Sequence, residues 1–393
     1  MREMRVGFNT YCIGVGRAGI RFLDSMYGLD VKSGVKQISP LGLASSKFDY
    51  DLIDNLGAKH IFPFGDSDRD VRYTCVGGNQ CLGQEIAIGD GRRILARIYE
   101  DISTEEREEL VHAITLIGSL AGGTGGSTIP VLAKMIKDNF PEKLVVIMGI
   151  LPEEQEGSTY LANASRSFNM IMSLRRELAD RYADVFFIFN DMVARRGGIL
   201  QSYGRTNQKW AETFNLLFGS TYNPDNLDPH DRLSFLKKGG KEGIGMMRYT
   251  GDLEVDNPNP QTDMEVEDAK SEIIRALKKN LAEYPPGTVK SGAYGLYQMR
   301  CDQSIFPFDV RNIMNESFEK RLQEGSSDKY AFVRGGIWPN QGSEQLDIAT
   351  MILGIEPTEY RYLDKIMRKW TARYRKEDMK KDFEQIVDTM III

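Results

Sequence analysis

At 393 residues the chain is longer than one ordinary hydrophobic core serves, so two domains are expected. With 41% hydrophobic residues, 27% charged residues and a net charge of -6, its composition is that of a soluble globular protein and argues against wholesale coating of nucleic acid. No apolar run reaches the ~18 residues of a membrane span, the opening Met1-Arg2-Glu3-Met4-Arg5 has no secretory pattern, and four cysteines without a CxxC pair predict a reducing cytoplasm with neither disulfide framework nor structural zinc.

In chain order, residues 6–13 (VGFNTYCI) read as a buried strand. It ends at a first glycine loop, Gly14-Val15-Gly16-Arg17-Ala18-Gly19, before a helix carrying Phe22, Leu23 and Met26. A small-residue loop, Gly77-Gly78-Asn79, precedes Gly83. Residues 113–118 (AITLIG) form another strand, which runs into Ala121-Gly122-Gly123-Thr124-Gly125-Gly126-Ser127 and then a helix with Val131, Leu132, Met135 and Ile136. Two more apolar runs of strand length follow at 144–150 and 185–189, separated by a helical pattern across 158–182. Strand, loop and helix in repetition predict a parallel, Rossmann-like α/β sheet with helices on both faces and its ligand at the carboxyl ends of the strands.

A helix across 200–219 closes this domain, with Tyr203, Asn207, Trp210, Phe214 and Leu217 on one stripe and Gly219 as the stop. The polar stretch 220–231 opens a second α/β or α+β domain, 220–355. Weaker strands at 244–250, 293–300 and 330–337, a loop at 252–263 and helices at 264–283 and 308–323 are expected within it. Residues 356–393 form a long amphipathic helix, with Leu363, Met367, Trp370 and Tyr374 on one face and Arg361, Lys365, Arg368, Lys369 and Arg373 among its basic residues.

Small residues between a strand and a helix let backbone N–H groups approach phosphate oxygens, and the helix N-terminus adds partial positive charge. Thr124, Ser127 and Thr128 add hydroxyl donors. No GxxxxGK[ST] occurs, so the loop is not of the Walker type. Alone, the first glycine loop fits a dinucleotide site or a tight βα turn equally well, and Gly77-Gly78-Asn79 fits a surface turn. Asn207, polar on an apolar stripe, needs partners that either a neighbouring loop or a purine edge supplies. In Asn226-Leu227-Asp228-Pro229-His230-Asp231 both aspartates suit helix capping.

These motifs carry a family resemblance. Ala121 to Ser127 resembles the GGGTGTG signature of the tubulin/FtsZ superfamily, and Gly14 to Gly19 resembles that family's first glycine loop. Leu151 to Gly157 resembles the segment whose acidic residue, here Glu156, contacts the ribose. The order and spacing fit over roughly residues 5–250, and the rest fits only loosely. The resemblance implies GTP or GDP between the glycine loops and the central helix. Tyr203 and Asn207 would stack on and read guanine, and Mg²⁺ would be held by phosphates and water rather than by protein side chains. Asn226, Asp228 and Asp231 match the NxDxxD loop that completes the neighbour's catalytic site in a head-to-tail filament. In that role the carboxylates orient a water at the γ-phosphate, and positioning matters more than proton abstraction.

The departures are Arg17 at a usually small position, Arg21 where a guanine-contacting asparagine is usual, Ala121 for the first signature glycine, and Ala44-Ser45-Ser46-Lys47 where Asn-Thr-Asp is usual. They make the chain resemble the divergent prokaryotic members, CetZ-like or TubZ-like. The implied activity is assembly-dependent GTP hydrolysis in a cytoskeletal filament serving cell shape or division, or replicon segregation. The basic C-terminal helix is then offered to an adaptor, a membrane or DNA. A non-hydrolysing nucleotide-binding scaffold and an NAD-dependent dehydrogenase are the competing readings.

Overall fold

The computed structural model describes residues 8–33, 36–51, 53–65, 76–105, 110–153, 156–176, 182–189, 199–219, 228–254, 262–301, 310–324, 331–339, 345–371, 380–381, 384–386 and 388. The chain divides into two compact units. One comprises Asn9–Ala211 with Tyr362–Ile393, the other Met1–Phe8 with Glu212–Arg361.

The first unit alternates strands and helices: β1 (Thr10–Val15), α1 (Gly16–Ser33), β2 (Ile38–Ala44), β3 (Ile61–Pro63), α2 (Gln80–Gly89), α3 (Gly91–Glu105), β4 (Ala113–Ser119), α4 (Gly123–Asn139), β5 (Leu144–Ile150), α5 (Ser158–Arg176), β6 (Val185–Phe189) and α6 (Ile199–Phe218), the last carrying residues of both units. The strands lie in the order β3-β2-β1-β4-β5-β6, every pair parallel. β1, β4, β5 and β6 are apolar and buried nearly end to end, as strands covered on both faces must be.

The first strand starts and ends later than residues 6–13. The polar Thr10 opens the strand, its buried hydroxyl meeting Thr115 Oγ1 at 2.8 Å and Ala113 O at 3.1 Å. At the other end Val15 pairs with Gly118 and Leu43. The helix expected over 158–182 ends at Arg176 within the described residues, and Tyr182 to Asp184 lead into β6.

The second unit holds α7 (Pro229–Glu242), β7 (Ile244–Glu254), α8 (Asp263–Leu281), α9 (Thr288–Ser291), β8 (Tyr294–Cys301), α10 (Val310–Gln323), β9 (Phe332–Pro339) and β10 (Gln345–Ile355). Its sheet runs β7-β10-β8-β9, with β10 antiparallel to β7 and β8, and β8 parallel to β9. β7 continues to Glu254, where a loop was expected from residue 252. The central strand β10 was not anticipated. Asp347 and Thr350 interrupt its apolar pattern, and both are buried because partners meet them: Arg300 reaches Asp347, and Tyr284 and Asn280 hold the Thr350 hydroxyl.

The C-terminal segment, expected as a helix over 356–393, is helical at residues 361–371, 380–381 and 384–386 among the described residues. A 3-10 turn, Pro357–Glu359, precedes α11 (Arg361–Thr371). The apolar edge of α11 packs on α5, with Ile366 against Leu161 and with Ala162 and Tyr362 beside them. The Tyr362 hydroxyl donates to Pro152 O. Arg361, Lys365 and Arg368 point to solvent. Tyr374 and the side chain of Trp370 lie outside the described residues. Among the described residues no helix is long and apolar enough to cross a membrane.

Candidate functional site

In the first unit, segments that follow the carboxyl ends of parallel strands converge on the start of α4. β1 passes into α1 with no intervening loop. Gly16 makes the junction at φ +65, a left-handed conformation that a side chain resists, and a Cβ there would lie 3.1 Å from Thr124 Cβ. Gly14 and Gly19 have a packing purpose instead. A Cβ on Gly14 would lie 2.7 Å from Gly19 O, and one on Gly19 would lie 2.1 Å from Ile117 O, so their absence lets α1 lie on β1 and β4. The expected loop Gly14–Gly19 is thus a strand end and the first turn of a helix, with Arg17 exposed and Ala18 half-buried.

The second glycine segment is likewise mostly helix. Gly122 is the N-cap of α4 and offers no side-chain cap, so no side chain of its own occupies the helix's leading N–H groups. The nearest atom to a Cβ on Gly122 would be 3.9 Å away, which leaves that side open. Gly125 and Gly126 admit neighbours: Cβ atoms there would lie 2.7 Å from Ser119 O and 2.2 Å from Gln80 Nε2. Thr124 is half-buried, whereas Ala121 is buried. Ser127 and Thr128, expected to offer hydroxyls to a ligand, are fully enclosed. The Ser127 hydroxyl donates instead to Gly123 O at 2.5 Å, within its own helical turn.

Gly77 and Gly78 both take positive φ, +57 and +83. They bring the chain against Gly123, whose Cβ, if present, would sit 2.9 Å from Gly78 N. Asn79 caps α2 by accepting from Cys81 N at 3.1 Å and Leu82 N at 3.2 Å. The segment after β2 completes the cluster. Ser45 Oγ lies 2.7 Å from Thr124 Oγ1. Asp49 Oδ2 accepts from Ser45 N at 2.9 Å and Ser46 N at 3.1 Å, and the Arg17 backbone also donates to this carboxylate. Burial pushes the Asp49 carboxyl above its ordinary range while these donors pull it back. Lys47 is exposed. Arg21 has one guanidinium nitrogen buried without a hydrogen-bond partner, and burial together with the charge of Arg17 lowers its pKa.

Glu156 is exposed beside Gly157 (φ +97), and its carboxylate accepts from Glu153 N at 3.1 Å, so it is held just ahead of α5. Asn207 is half-buried on α6. One turn on, Trp210 packs between Phe22 and Phe189, with ring centroids 5.5 and 5.0 Å away, which anchors this part of α6 to α1 and β6. The side chain of Tyr203 lies outside the described residues, as does Asn226.

Asp228 and Asp231 belong to the second unit. Asp228 caps α7, accepting from Asp231 N at 2.7 Å, and both side chains are exposed. Capping occupies one carboxylate oxygen of Asp228, and a carboxylate has two. Behind them Arg232 is buried and donates to Gly219 O at 3.1 Å, tying the start of α7 to the end of α6. Burial lowers its guanidinium to about 10. Among the described residues no group of three or more His, Cys, Asp or Glu is placed to hold a metal ion.

Three residues behind the glycine turns were missed: Gln80, Asn163 and Arg166. Gln80 Nε2 donates to Leu120 O at 3.0 Å and Gly122 O at 3.1 Å. Asn163 Nδ2 donates to Gly78 O at 2.8 Å and Ala121 O at 3.1 Å. The available signal was in α5, where Asn163-Ala164-Ser165-Arg166-Ser167 is polar yet lies in a helix between two buried strands. Polar side chains in such a place must be spent on neighbours.

The family model described as "Tubulin/FtsZ family, GTPase domain" matches residues 9–176. Tubulin-like protein CetZ4 of Haloferax volcanii is 28% identical over 243 residues, which cover 59% of this chain and 58% of that protein, so the match spans under two thirds of the relative's length. Tubulin-like protein CetZ of Pyrococcus horikoshii is 23% identical over 377 residues, covering 94% of this chain and 90% of that protein. Among solved structures, a GTPγS-bound protofilament of CetZ2 from Haloferax volcanii superposes with a TM-score of 0.75 at 21% identity, over 95% of this chain and 99% of that one, a likeness of fold.

Proposed function

We propose that the chain is a divergent member of the tubulin/FtsZ superfamily that binds GTP, polymerises head to tail and hydrolyses the nucleotide in the assembled filament. The observation that carries this reading is the convergence of Gly16, Ser45 and Gly78 on Gly123 and Thr124, at a helix N-terminus that no side chain caps. Such an end, edged by glycine and hydroxyl groups, suits the phosphates of a nucleotide. In this reading Gly122, Gly123, Thr124, Gly16, Gly77 and Gly78 face the phosphates. Glu156 meets the ribose, and Tyr203 and Asn207 meet the guanine. Mg²⁺ arrives with the phosphates and supplies charge neutralisation there.

The remaining glycines, with Ala121 and Ser127, support the cradle from behind. Asp228 and Asp231, whose exposure makes them available to a partner, act with Asn226 on the nucleotide of the next subunit. The working parts are a nucleotide-binding domain at 1–219, a second domain at 220–355 and the C-terminal segment 356–393. The exposed basic residues of α11 form the surface for an adaptor or another acidic partner, and the protein works in the cytoplasm of an archaeon or similar prokaryote in cell shape or division.

The test is sedimentation of purified protein with GTP, with GTPγS and without nucleotide, alongside titration calorimetry with GDP. Nucleotide-dependent pelleting is expected with both triphosphates, persisting longer with GTPγS. Binding without pelleting or phosphate release would leave a nucleotide-binding scaffold, and absence of binding would remove the reading.

A further inference from the structure

A buried polar chain runs behind the glycine turns. Arg166 on α5 is 1% exposed and is the largest fully buried side chain among the described residues. Its guanidinium donates to Gln80 Oε1 at 3.3 Å and to Gln84 Oε1 at 2.9 Å. With its oxygen engaged by Arg166, the Gln80 amide is oriented so that its NH₂ group faces Leu120 O, Gly122 O and Ser167 Oγ, at 3.0, 3.1 and 2.8 Å. One turn earlier on α5, Asn163 joins the two glycine segments through Gly78 O and Ala121 O. Gln84 is tied at its far side to Gln385 by a 3.0 Å hydrogen bond, so both ends of the Arg166 fork are fixed.

An amide side chain alone is ambiguous, because rotation by half a turn exchanges its donor and acceptor ends. A cation on one end removes the ambiguity, since the guanidinium only donates. The Gly122 carbonyl is thereby held from behind, and the peptide that leads into the N-terminus of α4 takes one orientation. Gly126 completes the arrangement, since a Cβ there would lie 2.2 Å from the Gln80 amide nitrogen.

We propose that Arg166 is a positioning residue for nucleotide binding. It acts through Gln80, with Asn163 as its companion, to pre-set residues 76–79 and 120–124 for the phosphates. This rests on the nucleotide-binding reading above. Pre-setting spares the ligand the cost of ordering these segments, so losing it weakens affinity without removing any ligand contact.

The experiment compares wild type, Arg166→Met, Arg166→Lys and Asn163→Ala as full-length protein. It measures GDP affinity by calorimetry and hydrogen exchange of segments 76–83 and 119–127 without nucleotide. Arg166→Met is expected to weaken GDP binding roughly ten-fold or more and to speed exchange in these two segments while the sheet interior is unchanged. Arg166→Lys, which keeps a donor-only cation, is expected to recover part of both losses. A folded Arg166→Met protein with wild-type affinity and exchange would overturn the proposal. If that variant does not fold, Asn163→Ala carries the test, and wild-type behaviour in it would be equally decisive. If wild type itself fails to bind GDP, the nucleotide reading falls, and the exchange data alone decide whether Arg166 sets these segments.

Discussion

The hydroxyls of Ser45 and Thr124 lie 2.7 Å apart, joining the segment after β2 to the leading turn of α4. Ser45 is also held by the Asp49 carboxylate, so the link anchors Thr124 rather than the reverse. Thr124→Val keeps the shape and removes the hydroxyl. The expected loss of stability is about 1 kcal/mol, the net worth of one hydrogen bond. GTP affinity is expected to fall roughly ten-fold, because the leading turn of α4 loses its anchor to Ser45 and the proposed phosphate cradle is no longer pre-set. Calorimetry and chemical denaturation on the same preparation check both parts.

Gly16 joins β1 to α1 at φ +65, with Thr124 Cβ 3.1 Å from where its Cβ would be. Gly16→Ala is expected to cost about 1–2 kcal/mol from backbone conformation alone and to weaken nucleotide binding by displacing Thr124. Gly89→Ala is the matched control. Gly89 ends α2 without a positive φ, and nothing lies within 4 Å of a Cβ there. It is expected to be neutral or stabilising by up to about 1 kcal/mol. Equal melting shifts in the two variants would contradict the assignment of Gly16.

Capping and the proposed catalytic role of Asp228 separate by choice of substitution. Asparagine caps a helix as well as aspartate does, whereas alanine does not. Asp228→Asn is therefore expected to keep α7 and its stability while lowering phosphate release by roughly ten-fold or more. Asp228→Ala is expected to lose about 1 kcal/mol in addition. Full turnover in Asp228→Asn would reduce this residue to a cap.

Asp30 gives the first unit a pH dependence. Its Oδ2 accepts from Gln37 N at 2.7 Å and Ile38 N at 2.9 Å, which staples the end of α1 to the start of β2. Burial raises its carboxyl from 3.8 to about 6, against the pull of those donors and of Lys36. Between these values the native protein holds a proton that the unfolded chain releases. The contribution is therefore full below the lower value and is lost as pH rises through about 6. Relative to Asp30→Asn, wild type is expected to lose up to about 3 kcal/mol between about pH 4 and about pH 7. Urea denaturation of both proteins across that range checks the sign, and a pH-independent difference would contradict it.

The parallel sheet was legible because strands covered on both faces are nearly continuous apolar runs, as in 144–150 and 185–189. β10 was not, because Asp347 and Thr350 look like surface residues until Arg300, Tyr284 and Asn280 are brought to them from elsewhere in the chain. Glycine shows a similar limit. A sequence reveals that Gly14, Gly16, Gly19 and Gly126 lack side chains but not which neighbour needs the space. Only Gly16 among them takes a positive φ, while Gly14, Gly19 and Gly126 make room for Gly19 O, Ile117 O and the Gln80 amide. For Arg166 the polar run of α5 between two buried strands was a signal, but its acceptors, Gln80 and Gln84, come from elsewhere in the chain and only the fold brings them to it.

In the proposed filament one active site needs two subunits, with the glycine cradle from one and Asp228 and Asp231 from the next. The most direct measurement is phosphate release per subunit as a function of protein concentration at saturating GTP. Release should be near zero below a threshold concentration and rise above it in step with sedimentable polymer. A specific activity that stays constant from dilute to concentrated protein would show a site complete in one subunit and contradict the account.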